Sequence, residues 1–161
     1  MEKRDFLKTM LVSIPLIGVA STNWANAQNP KPDPLPGELV NEFVRAGHGN
    51  LQKVKDMLAQ QPGVLNACWD WGGGDFETAI EGAGHVGNRE IAEYLLSVGA
   101  RLNVFAAAML GKNDIVRATL TAFPDLKTSK GPHGLMLIHH ATKGGDQAKE
   151  VLEYLKEIGA S

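Results

Sequence analysis

The chain has 161 residues, 43 % of them hydrophobic but only 6 % aromatic, and a formal net charge of −2. That bounds it to one modest domain. The composition suits a small-residue helical stack better than an aromatic-cored barrel, and it is not basic enough to propose nucleic acid as a partner. The single cysteine, Cys68, excludes an internal disulfide and is expected as a small, buried or half-buried hydrophobe.

Residues 1–27 read as an export signal. Lys3, Arg4 and Lys8 form a basic start, Met10 to Ala20 is an apolar run broken by Ser13 and Pro15, and Ala25-Asn26-Ala27 is an A-x-A cleavage site. The run is shorter than the about 20 residues that span a bilayer, so a mature chain starting at Gln28 is expected. An uncleaved membrane anchor is the plainer alternative. Lys3-Arg4-Asp5-Phe6-Leu7-Lys8 resembles the twin-arginine motif R-R-x-F-L-K, with Lys3 for the first arginine and Glu2 for the usual Ser or Thr. The ordinary unfolded-chain route therefore stays open beside twin-arginine export to the periplasm.

Cleavage would remove three of the 16 basic and two of the 18 acidic residues, leaving 13 and 16, net −3. Residues 28–37 then form a linker. The alternating prolines Pro30, Pro32, Pro34 and Pro36 make it an extended spacer without helix.

Residues 38–161 carry a repeat. Turn glycines recur at Gly49, Gly87, Gly111 and Gly144, with spacings of 38, 24 and 33. Before them lie the predicted first helices Leu39–Ala46, Thr78–His85, Val104–Met109 and Leu137–Ala141. After them lie the predicted second helices Leu51–Ala59, Arg89–Val98, Ile115–Ala122 and Asp146–Ile158. Val54, Met57 and Leu58 keep the same offsets from their glycine as Ala92, Leu95 and Leu96, and as Val116 and Leu120. Arg89, Glu90 and Glu93 point outward in this register. In the last pair Asp146 is a plausible N-cap and Gly159 a stop. Helices this short are marginal alone in water, so each pair must bury its apolar stripe against its neighbours.

Ile91 to Asn103, IAEYLLSVGARLN, resembles the second helix and exit loop of an ankyrin repeat. Thr78, Ile80, Ala83 and Gly87 resemble its T-P-L-H-x-A-A-x-x-G half, with Ala79 for the proline, Glu81 for the histidine and Gly84 for the second alanine. The period of that family is about 33. The resemblance covers about residues 38–160 and implies an all-α ankyrin-repeat solenoid of four repeats. The spacing of 38 predicts an enlarged loop at Asn66–Phe76. The spacing of 24 leaves no room for the usual β-hairpin finger after Asn103, and the spacing of 33 restores a loop at Asp125–Gly134. Two projecting loops with a notch between them are expected.

Trp69-Asp70-Trp71-Gly72-Gly73-Gly74 is the most unusual stretch. Its rings either form a contact surface, as Trp does at interface hot spots, or fold back over the first two repeats. The glycine run lacks a following lysine and Ser/Thr, so it is no phosphate loop. Of the five histidines, His85 and His139 align with the exposed side of first helices, His48 with a turn and His140 with a packed position. His139 and His140, being adjacent, point to different sides of a helix. No convergent metal ligands, no G-x-S-x-G, no H-E-x-x-H and no diagnostic carboxylate pair are read. No catalytic residue, metal or cofactor is expected, and the chain is expected not to be an enzyme.

The ankyrin resemblance implies a monomeric protein-binding module that uses its concave face and loop tips on another exported or envelope protein. Carried onto this sequence, the contacts are Trp69, Asp70, Trp71, Asp75 and Phe76 on the first loop. Gly82, His85, Val86, Ala106, Met109, His139 and Lys143 lie on the inner helices, and Lys130 and His133 on the second loop. A small-ligand or metal-binding protein, or an inhibitor or immunity-type partner of a neighbouring enzyme, is the alternative.

Overall fold

The computed structural model describes residues 31–160. The export signal and residues 28–30 of the linker lie outside them. The remaining linker residues, 31–36, carry no helix or strand.

The described residues are mostly helical. Four helix pairs follow one another: α1 (Gly37–Gly47) with α2 (Leu51–Gln60), α3 (Ala79–Val86) with α4 (Arg89–Ser97), α5 (Val104–Met109) with α6 (Asn113–Ala122), and α7 (Leu137–Lys143) with α8 (Lys149–Glu157). Asparagines start three of these helices: Asn50, Asn88 and Asn103 accept the N–H of Lys53, Ile91 and Ala106. Each bond satisfies one of the donors that a helix start leaves open. Of the turn glycines, Gly87 (φ 85°) and Gly111 (φ 67°) are left-handed, and Gly49 is not. In the fourth turn that role falls to Gly145 (φ 60°). A short 3-10 turn, Gly145–Ala148, then precedes α8. The last helix therefore starts at Lys149 rather than at an Asp146 cap.

The first helices pack in a row, α1 on α3, α3 on α5 and α5 on α7. Two apolar clusters fill the layer between first and second helices. One holds Phe43, Val54, Ile80, Ile91 and Leu95, the other Val116, Leu120, Leu137, Val151 and Leu155. Helix α5 divides them, giving Ala106, Met109 and Leu110 to the first and Ala107 and Ala108 to the second. Each fully buried Leu or Ile contributes about 1.5–3 kcal/mol, the burial that a short helix lacks on its own. Arg89, expected to point outward, instead donates to the carbonyls of Met109 and Leu110 at the end of α5 (3.1 and 3.2 Å).

One contact departs from a row of nearest neighbours. Helix α7 also packs directly on α3. The seam is made of small residues: a Cβ at Gly87 would sit 2.7 Å from the Lys143 carbonyl oxygen, and one at Gly84 would sit 3.7 Å from the His140 ring. The six-residue α5 is too short to keep the two helices apart over their full length.

Two loops project from the row. The first is a hairpin, β1 (Cys68–Asp70) antiparallel to β2 (Phe76–Thr78), with Trp69 opposite Glu77. Gly72, Gly73 and Gly74 turn it with φ of 126°, 67° and 89°, and Asp70 Oδ1 accepts the N–H of Gly72 and Gly74. That is what the glycine run does. The second loop comprises two 3-10 turns, Pro124–Thr128 and Pro132–Gly134, closed by a bridge between Lys130 and Met136. The notch expected between them is present and bridged at one side: a pocket of about 220 Å³ lies between Asp75 and Phe76 of the first loop, Lys130 and Pro132 of the second, and Phe105 of α5. His133 on the second is bonded to Asp75 on the first.

Candidate metal centre

Glu77 sits in the middle of β2 with its side chain turned in, between outward Phe76 and Thr78. It is fully buried, and an isolated carboxylate there is costly unless it is paired. Trp71 Nε1–H donates to Glu77 Oε2 (2.8 Å). The other oxygen, Oε1, is buried and makes no hydrogen bond of acceptable geometry among the described residues. Imidazole nitrogens close in on it instead. His85 Nε2 is 3.0 Å away and His133 Nε2 3.5 Å. His48 Nε2 lies 3.4 Å from Oε2 and 2.9 Å from His85 Nε2. One ligand-type atom from each of His48, Glu77, His85 and His133 falls within 4.8 Å of the others.

Second partners orient these groups. His48, at the end of α1, has Nδ1 3.0 Å from the Val44 carbonyl. A carbonyl only accepts, so Nδ1 carries the proton and Nε2 of the neutral ring presents its lone pair to the cluster. His133 Nδ1 faces Asp75 Oδ2 at 2.9 Å, with the same consequence. Its backbone N–H donates to Asp75 Oδ1 (2.8 Å), and its φ of 58° is strained for a residue with a side chain. The His85 ring stands edge-on to both others, centroids 4.8 and 5.1 Å apart. Burial alone would raise the Glu77 carboxyl. The His85 and His48 imidazoles and the Trp71 N–H outweigh it and hold the group below its ordinary value.

A proton on His85 Nε2 can serve one of its two close contacts, to His48 Nε2 (2.9 Å) or to Glu77 Oε1 (3.0 Å); the remaining lone pairs face one another and repel unless something positive lies between them. Ligands 2.0–2.2 Å from a tetrahedral ion stand roughly 3–3.5 Å apart; the contacts of His85 with Glu77 and His48, and of His133 and His48 with Glu77, fall at 2.9–3.5 Å, and the whole set lies within 4.8 Å. Three imidazoles and one carboxylate suit zinc, copper, nickel or iron rather than calcium or magnesium, which take oxygen. Histidine ligands held through the other ring nitrogen by a carboxylate or a carbonyl are the usual outer arrangement of such sites.

Twelve of the fourteen residues expected to meet a partner fall into three groups, with Trp69 and His139 apart. Trp71, Asp75, His85 and His133 come together at this cluster. Asp70, Phe76, Val86, Lys130 and Lys143 are exposed, and Phe76 reaches 58 % exposure at the hairpin. Gly82, Ala106 and Met109 are buried and offer a partner no surface. Gly82 lies under the His48 ring, which a Cβ there would approach to 2.8 Å. Ala106 and Met109 pack against neighbouring helices in the core. Trp69 leans back over Gly37 at the start of α1, and Trp71 lies under Arg45 of the same helix, so both rings fold back. His139 donates from Nε2 to the His85 carbonyl (2.9 Å), while His140 is buried on the other side of α7. Cys68 is exposed rather than buried, because it opens β1 on the outer face of the hairpin.

The sequence reading found no convergent metal ligands because His48 and Glu77 were passed over. His48 aligns with a turn, and Glu77 falls between the predicted loop at Asn66–Phe76 and the helix predicted from Thr78. The four side chains come from four segments without local spacing. The legible signal was a charged residue at the inward position of a short strand. No protein-family model matches the chain, and no curated protein matches it.

Proposed function

We propose that this is an exported, ankyrin-like protein whose stacked helix pairs hold one divalent transition-metal ion on His48, Glu77, His85 and His133. Four successive helix pairs with glycine turns support the repeat reading. The basic, apolar and A-x-A segments of residues 1–27 support export. The observation that carries the metal is the buried Glu77 Oε1, unbonded yet faced by His85 and His133. Metal analysis after equilibration with zinc or copper and desalting is the test. About one equivalent on wild type, held at least tenfold more weakly by His85→Ala, supports the reading. No metal on wild type removes it.

Protein binding is the second reading, favoured by Phe76, 58 % exposed at the hairpin. Here the loop tips grip another exported protein. Recovery of a partner by wild type but not by Phe76→Ser supports it, and equal recovery counts against this loop.

A further inference from the structure

We infer that a small organic carboxylate binds beside the ion, in a pocket walled by Arg45, His48, Trp71 and His133, with Arg45 taking its charge. This rests on the metal reading above and names what the same centre receives.

The pocket encloses about 310 Å³, at the low end of the range for small-molecule sites. Two of its four walls, His48 and His133, belong to the cluster, so a molecule seated there reaches the ion from the solvent side. His48 and His133 are 27 % and 36 % exposed, whereas Glu77 is fully buried. The open face is therefore the histidine face. Iron, nickel or copper held by these four ligands would keep room for a fifth, and the exposed histidine face is the side from which it could enter.

Arg45 supplies the charge. Its guanidinium stacks on the Trp71 ring, 4.6 Å from the centroid. Its Nε–H donates to Asn41 Oδ1 (2.9 Å). Among the described residues no carboxylate lies within 4.0 Å of it, while Lys53 and Arg89 each have one. The guanidinium is thus positioned by its flat face and one nitrogen, with its outer nitrogens left for an acceptor in the bidentate geometry that carboxylates prefer. Charge balance agrees: Glu77 and Asp75 bring two negative charges, and a divalent ion with Arg45 brings three positive. The surplus of one matches a monoanion. The indole wall gives an apolar body something to lie against.

Copper-loaded full-length protein tests this with azide as an optical probe and acetate and benzoate as competitors. Azide is expected to produce a saturable charge-transfer band, displaced by both acids. Arg45→Met is expected to bind copper as wild type does and both acids at least tenfold more weakly. No azide band on copper-loaded wild type would overturn the inference while leaving the metal reading intact, as would unchanged carboxylate affinity in Arg45→Met. Wild type that binds zinc but not copper, nickel or iron would overturn the inference and keep the metal reading, and wild type that binds no metal would remove both.

Discussion

Asp75 holds His133 across 58 positions of the chain, through its backbone N–H (2.8 Å) and through Nδ1 (2.9 Å). The pair joins the two projecting loops and fixes which nitrogen of the ring faces the cluster. The backbone N–H that His133 donates, with the bond from its ring, outweighs the burial that works against it and holds the Asp75 carboxyl below its usual range. Asp75→Asn removes the charge and reassigns the ring proton. Metal affinity should fall about 10–100-fold, read by competition with a chelating dye, while far-UV circular dichroism stays unchanged. Wild-type affinity in the variant would show that the tie does not orient a ligand.

Trp71→Phe keeps most of the ring and deletes the N–H that satisfies Glu77 Oε2. A buried acceptor left without its donor costs about 1–3 kcal/mol. Urea unfolding of metal-free protein should show a loss of that order. No loss would mean that water reaches Glu77 in its place.

Gly82→Ala would ordinarily favour a helix by about 0.5–1 kcal/mol. Here the new methyl would stand 2.8 Å from His48 Cε1 and 2.9 Å from Nδ1. The imidazole must swing, which breaks its bond to the Val44 carbonyl. Helical content should survive while metal affinity, followed by calorimetric titration, drops at least tenfold. Retained affinity would place His48 outside the ligand set.

His140 is fully buried, donates to the Met136 carbonyl (2.9 Å) and leaves Nε2 without a partner. Burial pushes it from 6.5 down to about 4. The folded value lies below the unfolded one, so the unfolded chain binds the extra proton first. Stability from neutral His140 is complete above about pH 6.5 and drains away as pH falls towards 4. Over that window the loss reaches roughly 3 kcal/mol at about 1.4 kcal/mol per pH unit. Urea midpoints of metal-free protein at pH 7, 5.5 and 4.5 should trace it, and His140→Leu should flatten the slope. An equally steep slope in the variant would assign the acid sensitivity to other groups.

What the sequence disclosed depended on distance along the chain. Val104–Met109 and the starts of α2 at Leu51 and of α4 at Arg89 agree with the sequence reading, because the turn glycines and the apolar offsets from them act over a few residues. The start of α8 was missed because the Gly144-Gly145 pair makes a 3-10 turn first. Arg89 was placed outward because its acceptors, the carbonyls of Met109 and Leu110, lie about twenty residues on. The site was half legible: Trp71, Asp75, His85 and His133 were all singled out, though as separate contacts on a surface. What joins them is the α3–α7 contact, made through Gly84 and Gly87, together with the tie from Asp75 to His133. Neither has a local pattern, and without them Glu77 and His48 carry no signal.

X-ray absorption at the metal edge of the protein loaded with one equivalent of copper or zinc addresses the centre itself. Three imidazole nitrogens and one carboxylate oxygen in the inner shell at about 2.0–2.2 Å, falling to two imidazoles in His85→Ala, is the expected result. An inner shell with no more than one imidazole, or a spectrum that His85→Ala leaves unchanged, would contradict a centre built from His48, Glu77, His85 and His133.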